Sequence, residues 1–166
     1  MSMVTVSYGT LTTMTVTNLN GLASSATAGW QSVRIDNRTT LAIDYVINAK
    51  ISFSSTATAN DKAVYCYVSA ATHDGTSWYH DDQGTTTLPT GTESTTTIAN
   101  PHNLKLLGVL NYTGTGQICQ GTFLLSNALG QYMPHGFSII LINFTGSNTL
   151  TAGNLVTYQP VMETIA

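Results

Sequence analysis

The chain has 166 residues, a formal net charge of −3 and only 8% charged residues, while 42% of its residues are apolar. This length suits a single domain with its own core. Five basic residues against eight acidic ones argue against a nucleic-acid binder. The longest apolar run spans about eight residues, where a membrane helix needs about 20. Serine and threonine make up about a quarter of the chain, so hydroxyl groups replace much of the missing charge.

Short segments of alternating or continuous apolar residues, separated by turn residues, predict β-strands along the whole chain. In the segment Leu41 to Phe53 every odd position is apolar, which is typical of a half-buried strand. The segment Phe137 to Phe144 is apolar on both faces and is predicted to lie centrally in a sheet. We predict strands at Val4–Tyr8, Leu11–Leu19, Trp30–Asp36, Leu41–Phe53, Ala63–Ala70, Leu104–Tyr112, Gln117–Leu125, Phe137–Phe144 and Leu155–Met162. Single helical turns are predicted at Ser24–Gly29 and Ser126–Gly130.

About nine short strands predict an all-β fold, an antiparallel β-sandwich of jelly-roll or Greek-key type. We expect residues 1–166 to form one such domain, with residues 1–10 as an N-terminal arm or edge strand. Two long loops are predicted, Asn20–Gly29 and Ala71–Thr97. The alternation predicts a core that includes Ile43, Tyr45, Ile47, Ile51, Val64, Ile139, Leu141 and Val156.

Residue patterns typical of catalysis or of metal binding are missing from the sequence. Asp81 and Asp82 are adjacent, so their side chains diverge in an extended chain and cannot form an acid/base pair by themselves. A nucleophile elbow, a phosphate-binding loop and a paired-cysteine motif are absent. His73, His80, Asp81 and Asp82 are the one group with metal-ligand chemistry, but their spacing matches no compact zinc motif. We therefore predict no catalytic residue, no cofactor and no metal site.

Cys66 and Cys119 both lie in strand-like runs, where buried free thiols are expected. The alternative is a disulfide between them, which requires that the two strands are neighbours.

Two segments are candidates for contact with a partner. Val4, Val6 and Tyr8 form an alternating apolar face, and a short edge strand can add itself to a neighbouring sheet. Pairing of this segment within its own sandwich is the alternative. In the second segment, Trp78 and Tyr79 precede His80, Asp81 and Asp82, which combines aromatic area with hydrogen-bonding groups. Here the alternative is that the aromatic side chains fold back onto the sandwich.

Six stretches follow one another over most of the chain: Val6-Ser7-Tyr8-Gly9-Thr10, Leu22–Gly29, Ser32–Asn37, Lys62–Tyr65, Asn103–Gly108 and Leu129–Pro134. In this order they resemble stretches of the small virion proteins of tailed bacteriophages. This chain departs from the family pattern at Ile35, at Cys66 and over Ser77–Asp82, so properties of that loop are not carried over.

The resemblance implies a non-enzymatic virion structural protein. It would be a capsid decoration or cement protein on the outer capsid surface, bound to the major capsid protein and to neighbouring copies of itself as a homo-oligomer. No secretory signal is recognised, so synthesis in the host cytoplasm is expected, without membrane or nucleic-acid partners. A net acidic protein is also repelled by packaged DNA, which favours the outside of a particle.

Two other functions remain open. One is a tail-fibre or baseplate adhesin, or a carbohydrate-binding module, that contacts the host through Trp78 and Tyr79. The other is an enzyme such as a depolymerase. Copy number per virion separates decoration from the tail functions.

Overall fold

Two antiparallel β-sheets pack face to face in the computed structural model, which describes residues 3–55, 63–81, 89–98, 101–112, 118–130, 132–146 and 148–165. The smaller sheet contains β1 (Val4–Tyr8), β2 (Thr12–Thr13), β5 (Asp44–Ser52), β10 (Ile118–Leu124) and β12 (Leu155–Ile165). The larger sheet contains β3 (Ala28–Gln31), β4 (Ile35–Asp36), β6 (Ala63–His73), β7 (Trp78–His80), β8 (Ser94–Thr97), β9 (Lys105–Asn111) and β11 (Gly136–Phe144). A helical turn, α1 (Ser126–Leu129), and a 3-10 turn, Pro101–Asn103, complete the described elements. The predicted all-β sandwich is confirmed.

The strand order explains which segments are buried. In the smaller sheet the order is β1-β12-β5-β10, with β2 also on β12. In the larger sheet it is β7-β6-β11-β3-β8, with β4 on β11 and β9 on β6. The central position predicted for Phe137–Phe144 is confirmed, because β11 has strands on both sides and eight of its nine residues are buried.

The core lies between the sheets and follows the period-two pattern. Along the whole of β5, the residues at odd positions are buried and those at even positions are half-buried. Each large aliphatic side chain removed from water in this way contributes about 1.5–3 kcal/mol. Seven of the predicted core residues are buried: Tyr45, Ile47, Ile51, Val64, Ile139, Leu141 and Val156.

The prediction for Ile43 is wrong, because this side chain is 45% exposed. The Asn37 side chain accepts a hydrogen bond from the Ala42 N–H and donates one to the Ala42 carbonyl. Its oxygen also accepts from the Tyr45 hydroxyl. These bonds hold Ala42 inward before the strand begins, so the alternation that starts at Tyr45 does not extend back to Ile43.

Four predicted segments differ from the structure. Of Leu11–Leu19 only Thr12–Thr13 is a strand, because residues 16–22 form turns closed by main-chain hydrogen bonds. Ser24–Gly29 forms no helical turn, since β3 already begins at Ala28. The predicted strand Trp30–Asp36 is divided where the Ser32 hydroxyl accepts the Ile139 N–H. The loop predicted at Ala71–Thr97 contains the end of β6 and also β7 and β8, whose Thr-rich or very short runs give little hydrophobic signal.

The helices of the described residues are all too short to cross a membrane.

Candidate functional site

The ends of β1 and β12 form a two-stranded ribbon that extends past the rest of the smaller sheet. β1 pairs with β12 from Tyr8 opposite Val161 to Val4 opposite Ile165. On the other side of β12, β5 pairs only from Leu155 to Val161. Beyond Val161, β12 therefore has β1 on one side and, among the described residues, no strand on the other. We call residues 4–8 and 161–165 the ribbon.

One face of the ribbon is apolar and exposed. Residues directly opposite each other in an antiparallel pair point to the same face. Val4, Val6, Tyr8 and Ile165 therefore share a face with Glu163 and with Val161, which is buried where the ribbon joins the rest of the sheet. The four apolar side chains are 56–71% exposed. Exposed apolar side chains that are grouped in this way mark interaction sites more often than scattered ones do.

The outer edge of β1 is also open. The Gly9 N–H donates to the Pro160 carbonyl, at 2.8 Å, so Gly9 points toward β12. Because alternate residues of an antiparallel strand turn their main-chain groups to opposite sides, the N–H and C=O groups of Val4, Val6 and Tyr8 point away from β12. Within the described residues no strand pairs with them. The segment 3–8 contains neither charge nor proline, the usual protections of an edge strand.

Trp78 packs on the outer face of the larger sheet. The guanidinium carbons of Arg34 and Arg38 lie 4.2 and 4.8 Å from the centre of its ring. The His73 ring meets it edge to face at 4.7 Å. Gly136 lies under the ring, and a Cβ there would come within 2.8 Å of Trp78 Cζ3. The Trp78 side chain is therefore surrounded by its own chain and only half-buried, which is the alternative in which the aromatic folds back.

Each of the two arginines beside Trp78 also contacts other polar side chains. Arg38 donates to both oxygens of Asp36, with the shortest contact at 2.7 Å, and to His73 Nδ1, also at 2.7 Å. The hydrogen bond from Arg38 is the main reason that the pKa of Asp36 is lowered to about 2. Arg34 Nη1 lies 3.0 Å from His80 Nε2. We call Arg34, Asp36, Arg38, His73, Trp78 and His80 the tryptophan cluster.

His80 and Asp81 face the protein rather than the solvent. Burial, and then the charge of Arg34, lower the pKa of His80 to about 4, so the ring is neutral near pH 7. Asp81 pairs with Ala70, since its carboxylate accepts the Ala70 N–H and its own N–H donates to the Ala70 carbonyl. Asp82 lies outside the described residues.

Tyr79 is the accessible aromatic residue of this hairpin. Its side chain is 58% exposed and its hydroxyl donates to Asp74 Oδ2 at 2.9 Å. Asp74 also accepts the N–H groups of Ser77 and Thr76. These backbone hydrogen bonds, with that from Tyr79, lower the pKa of Asp74 to about 2. The carboxylate therefore shapes the turn.

Among the described residues, no three histidine, cysteine, aspartate or glutamate side chains are grouped closely enough to hold a metal ion. Cys66 and Cys119 are buried and free, as predicted, on strands of opposite sheets. Burial raises the pKa of both thiols to about 12, which keeps them protonated and unreactive.

A second exposed apolar site lies on the outer face of the larger sheet. A depression of about 230 Å³ is lined by Ala26, Tyr65, Tyr67, Pro101, Ile142 and Phe144, and we call it the tyrosine groove. The Tyr65 and Tyr67 rings are nearly parallel, with centres 6.4 Å apart. Phe144 stands almost perpendicular to Tyr65, at 85°.

Sequence reasoning did not identify the tyrosine groove as a candidate site. Tyr65 and Tyr67 are two positions apart in the predicted strand Ala63–Ala70 and therefore share a face, and the signal lies in the residues that alternate with them. Val64, Cys66 and Val68 are fully buried, so the core takes the other face and the tyrosines point outward. Large aromatic residues at outward positions of a central strand are a recognisable pattern, although the sequence alone does not say which face is covered.

Comparisons with known proteins add little to this geometry. No family model matches the chain, and no curated protein matches it. Two solved structures, those of the Gt and Gx strains of infectious bursal disease virus, align at 13% and 11% identity. The alignments cover 98% of this chain but only 39% and 40% of those chains. Their TM-scores, 0.17 and 0.18, are too low to support an argument about fold or function.

Proposed function

We propose that this chain is a non-enzymatic structural protein of a bacteriophage virion, and more specifically a capsid decoration protein. It attaches to the major capsid protein on the outer surface of the shell and stabilises the shell there. The resemblance of Val6–Thr10, Leu22–Gly29 and the later stretches to small phage virion proteins supports the virion role.

The observation on which the proposal depends is the ribbon. Its β1 edge offers the main-chain groups of three residues, and its apolar face offers Val4, Val6, Tyr8 and Ile165. An unprotected edge strand adds to a neighbouring sheet through main-chain hydrogen bonds, while the side chains provide selectivity. Both elements of such an interface are present on β1, and Ile165 of β12 extends its apolar face.

Attachment through the ribbon also explains how a protein with little charge can bind firmly. With 8% charged residues the chain has few groups for ion pairs at an interface. Charge screening by salt does not weaken apolar contact or main-chain pairing, so attachment should persist in high salt.

The adhesin alternative through Trp78 and Tyr79 is less favoured, because the Trp78 ring already contacts Arg34, Arg38 and Gly136. A host-binding aromatic platform needs an open ring face.

The test is to add purified protein to capsids of the encoding phage that lack this gene product. We expect saturation at hundreds of copies on the outer surface, seen as extra density by electron cryomicroscopy. Decorated shells should also resist heat better than bare shells, because a ligand that binds only the intact shell stabilises it. A handful of copies at the tail, or none on the shell, contradicts the proposal.

A further inference from the structure

The tyrosine groove continues into a second depression on the same face. This neighbour, of about 240 Å³, is lined by Ser24, Ser25, Ala26, Phe144 and Gly146. Ala26 and Phe144 line both depressions, so the two form one trough with Phe144 between its halves. Together they reach the size of small-molecule sites, about 300–1,000 Å³.

The floor of the trough is rigid. Tyr65 and Tyr67 belong to β6, which is paired at these positions with β11 on one side and β9 on the other. Ile142 and its neighbour Ile140 are buried beneath the aromatic rings together with Ile98 and Leu104. The aromatic surfaces are therefore fixed before any ligand arrives, which lowers the entropic cost of binding.

The aromatic half offers flat apolar surfaces with polar tips. Tyr65 and Tyr67 are tilted only 23° from each other, and Phe144, almost perpendicular to Tyr65, stands at the boundary with the serine half. No hydrogen bond to either tyrosine hydroxyl is found within the described part of the chain. Burial, and then the neighbouring Tyr65, raise the pKa of Tyr67, so its hydroxyl keeps its proton.

The serine half offers hydrogen-bond donors. Ser24 Oγ accepts the Gly146 N–H at 2.8 Å. Ser25 Oγ accepts the N–H groups of Thr27 and Ala28 at 3.1 and 3.0 Å. Since both oxygens act as acceptors for the main chain, both hydroxyl protons are left to donate to a ligand.

Among the described residues, none that lines either depression carries a charge. An anionic ligand would therefore meet no cation in the trough, and a cationic ligand no carboxylate. A peptide strand would find no main-chain partner either, because the interior strands β6 and β11 already pair with each other along the trough.

We propose that this trough binds a neutral oligosaccharide, a function beyond the shell attachment proposed above. A sugar ring has an apolar C–H face that packs on an aromatic ring and a rim of hydroxyl groups that exchange hydrogen bonds. One sugar ring packs against Tyr65 and Tyr67, and the next lies beyond Phe144, where Ser24 and Ser25 donate to its hydroxyl groups. A decorated particle would then present many weak glycan sites, whose combined affinity exceeds that of one site.

The test titrates the full chain with four neutral tetrasaccharides, built from glucose in α or β linkage, from mannose and from N-acetylglucosamine. Saturation-transfer NMR and calorimetry report binding. We expect at least one of them to bind saturably, and Tyr67→Ala to weaken that binding at least about tenfold, while Tyr67→Phe weakens it less because the ring remains.

Two control variants make the outcome decisive. Tyr132→Ala removes an aromatic side chain that is 86% exposed and lies outside the trough, so binding should be unchanged. Tyr79→Ala removes the exposed aromatic side chain of the hairpin between β6 and β7, and sugar binding should again be unchanged. Thermal melting establishes that each variant is folded.

Three results would overturn the inference. The first is that none of the four tetrasaccharides binds. The second is that binding survives Tyr67→Ala but is lost in Tyr79→Ala. The third is that a proline-rich decapeptide binds the trough more tightly than any of the four sugars. None of these results bears on attachment to the shell, which is measured separately.

Discussion

The two segments that the sequence marks as candidates for partner contact behave differently in the structure. Trp78 has aromatic area, but its ring contacts two arginines, a histidine and a glycine of its own chain. The ribbon has smaller side chains, yet its edge and its apolar face lack partners among the described residues.

Residue type alone therefore does not identify a contact surface. An aromatic side chain is available only if its faces are free. The two cations that cover Trp78, Arg34 and Arg38, flank β4, about 40 residues earlier in the chain. A strand is available when its edge is open, whatever its side chains. We therefore expect the tryptophan cluster to contribute to stability and the ribbon to contribute to binding.

The largest expected loss of stability comes from a substitution in the tryptophan cluster. Trp78→Ala removes the packing on Gly136 and two cation–π contacts worth about 0.5–1 kcal/mol each at exposed sites. Because the side chain is half-buried, we expect unfolding free energy to fall by about 2–3 kcal/mol, less than for a core tryptophan. Urea denaturation followed by the fluorescence of buried Trp30 measures it. Unchanged stability together with lost shell binding would reverse the assignment.

A smaller effect should appear as a pH dependence. In the folded chain the pKa of His80 is about 4, against an ordinary 6.5. Between these values the unfolded chain binds a proton that the folded chain does not, so stability falls as pH decreases from about 6.5 to about 4. Since the ring is partly exposed, we expect no more than about 1 kcal/mol over this window.

His80→Gln should flatten the pH dependence between 6.5 and 4, as measured by urea denaturation at several pH values. Protonation of the Asp36 and Asp74 carboxylates lowers stability in a separate window, between their ordinary pKa of 3.8 and the folded value of about 2. A variant with the same slope as the wild type in the upper window would show that His80 is not the group responsible.

The smallest effect on stability is expected in the ribbon. Val4→Thr with Val6→Thr keeps the β-branched shape and the main-chain pairs but makes the exposed face polar. We expect unfolding free energy to change by less than about 0.5 kcal/mol, as for surface positions generally. A loss above about 1.5 kcal/mol in urea would mean that this face is covered within the chain itself.

The sequence predicts the fold where burial is periodic. Tyr45, Ile47 and Ile51 alternate because β5 has the core on one face only, and β11 reads as apolar throughout because both of its faces are covered. The pattern fails at Ile43, where Asn37 holds Ala42 inward through hydrogen bonds that no periodicity encodes.

The candidate surfaces are only partly predictable. The apolar alternation of Val4, Val6 and Tyr8 is visible in the sequence, but the open edge is not, because it depends on where β5 stops along β12. The partners of Trp78 and the joining of Ser24 and Ser25 to the tyrosine groove arise from contacts between distant segments. Such contacts are set by strand register, which a single sequence does not reveal.

The open edge of β1 can be tested with a single substitution at Val6. Val6→Pro removes an N–H that points away from β12, and proline is tolerated at such edge positions, so the ribbon should stay paired. Val6→Thr is the matched control, because it keeps the N–H and the β-branched shape. Copies bound per shell are counted on capsids that lack the protein. If the β1 edge pairs with the shell, Val6→Pro should bind at least about tenfold more weakly than Val6→Thr, at equal stability. Equal binding by the two variants would contradict attachment through the β1 edge.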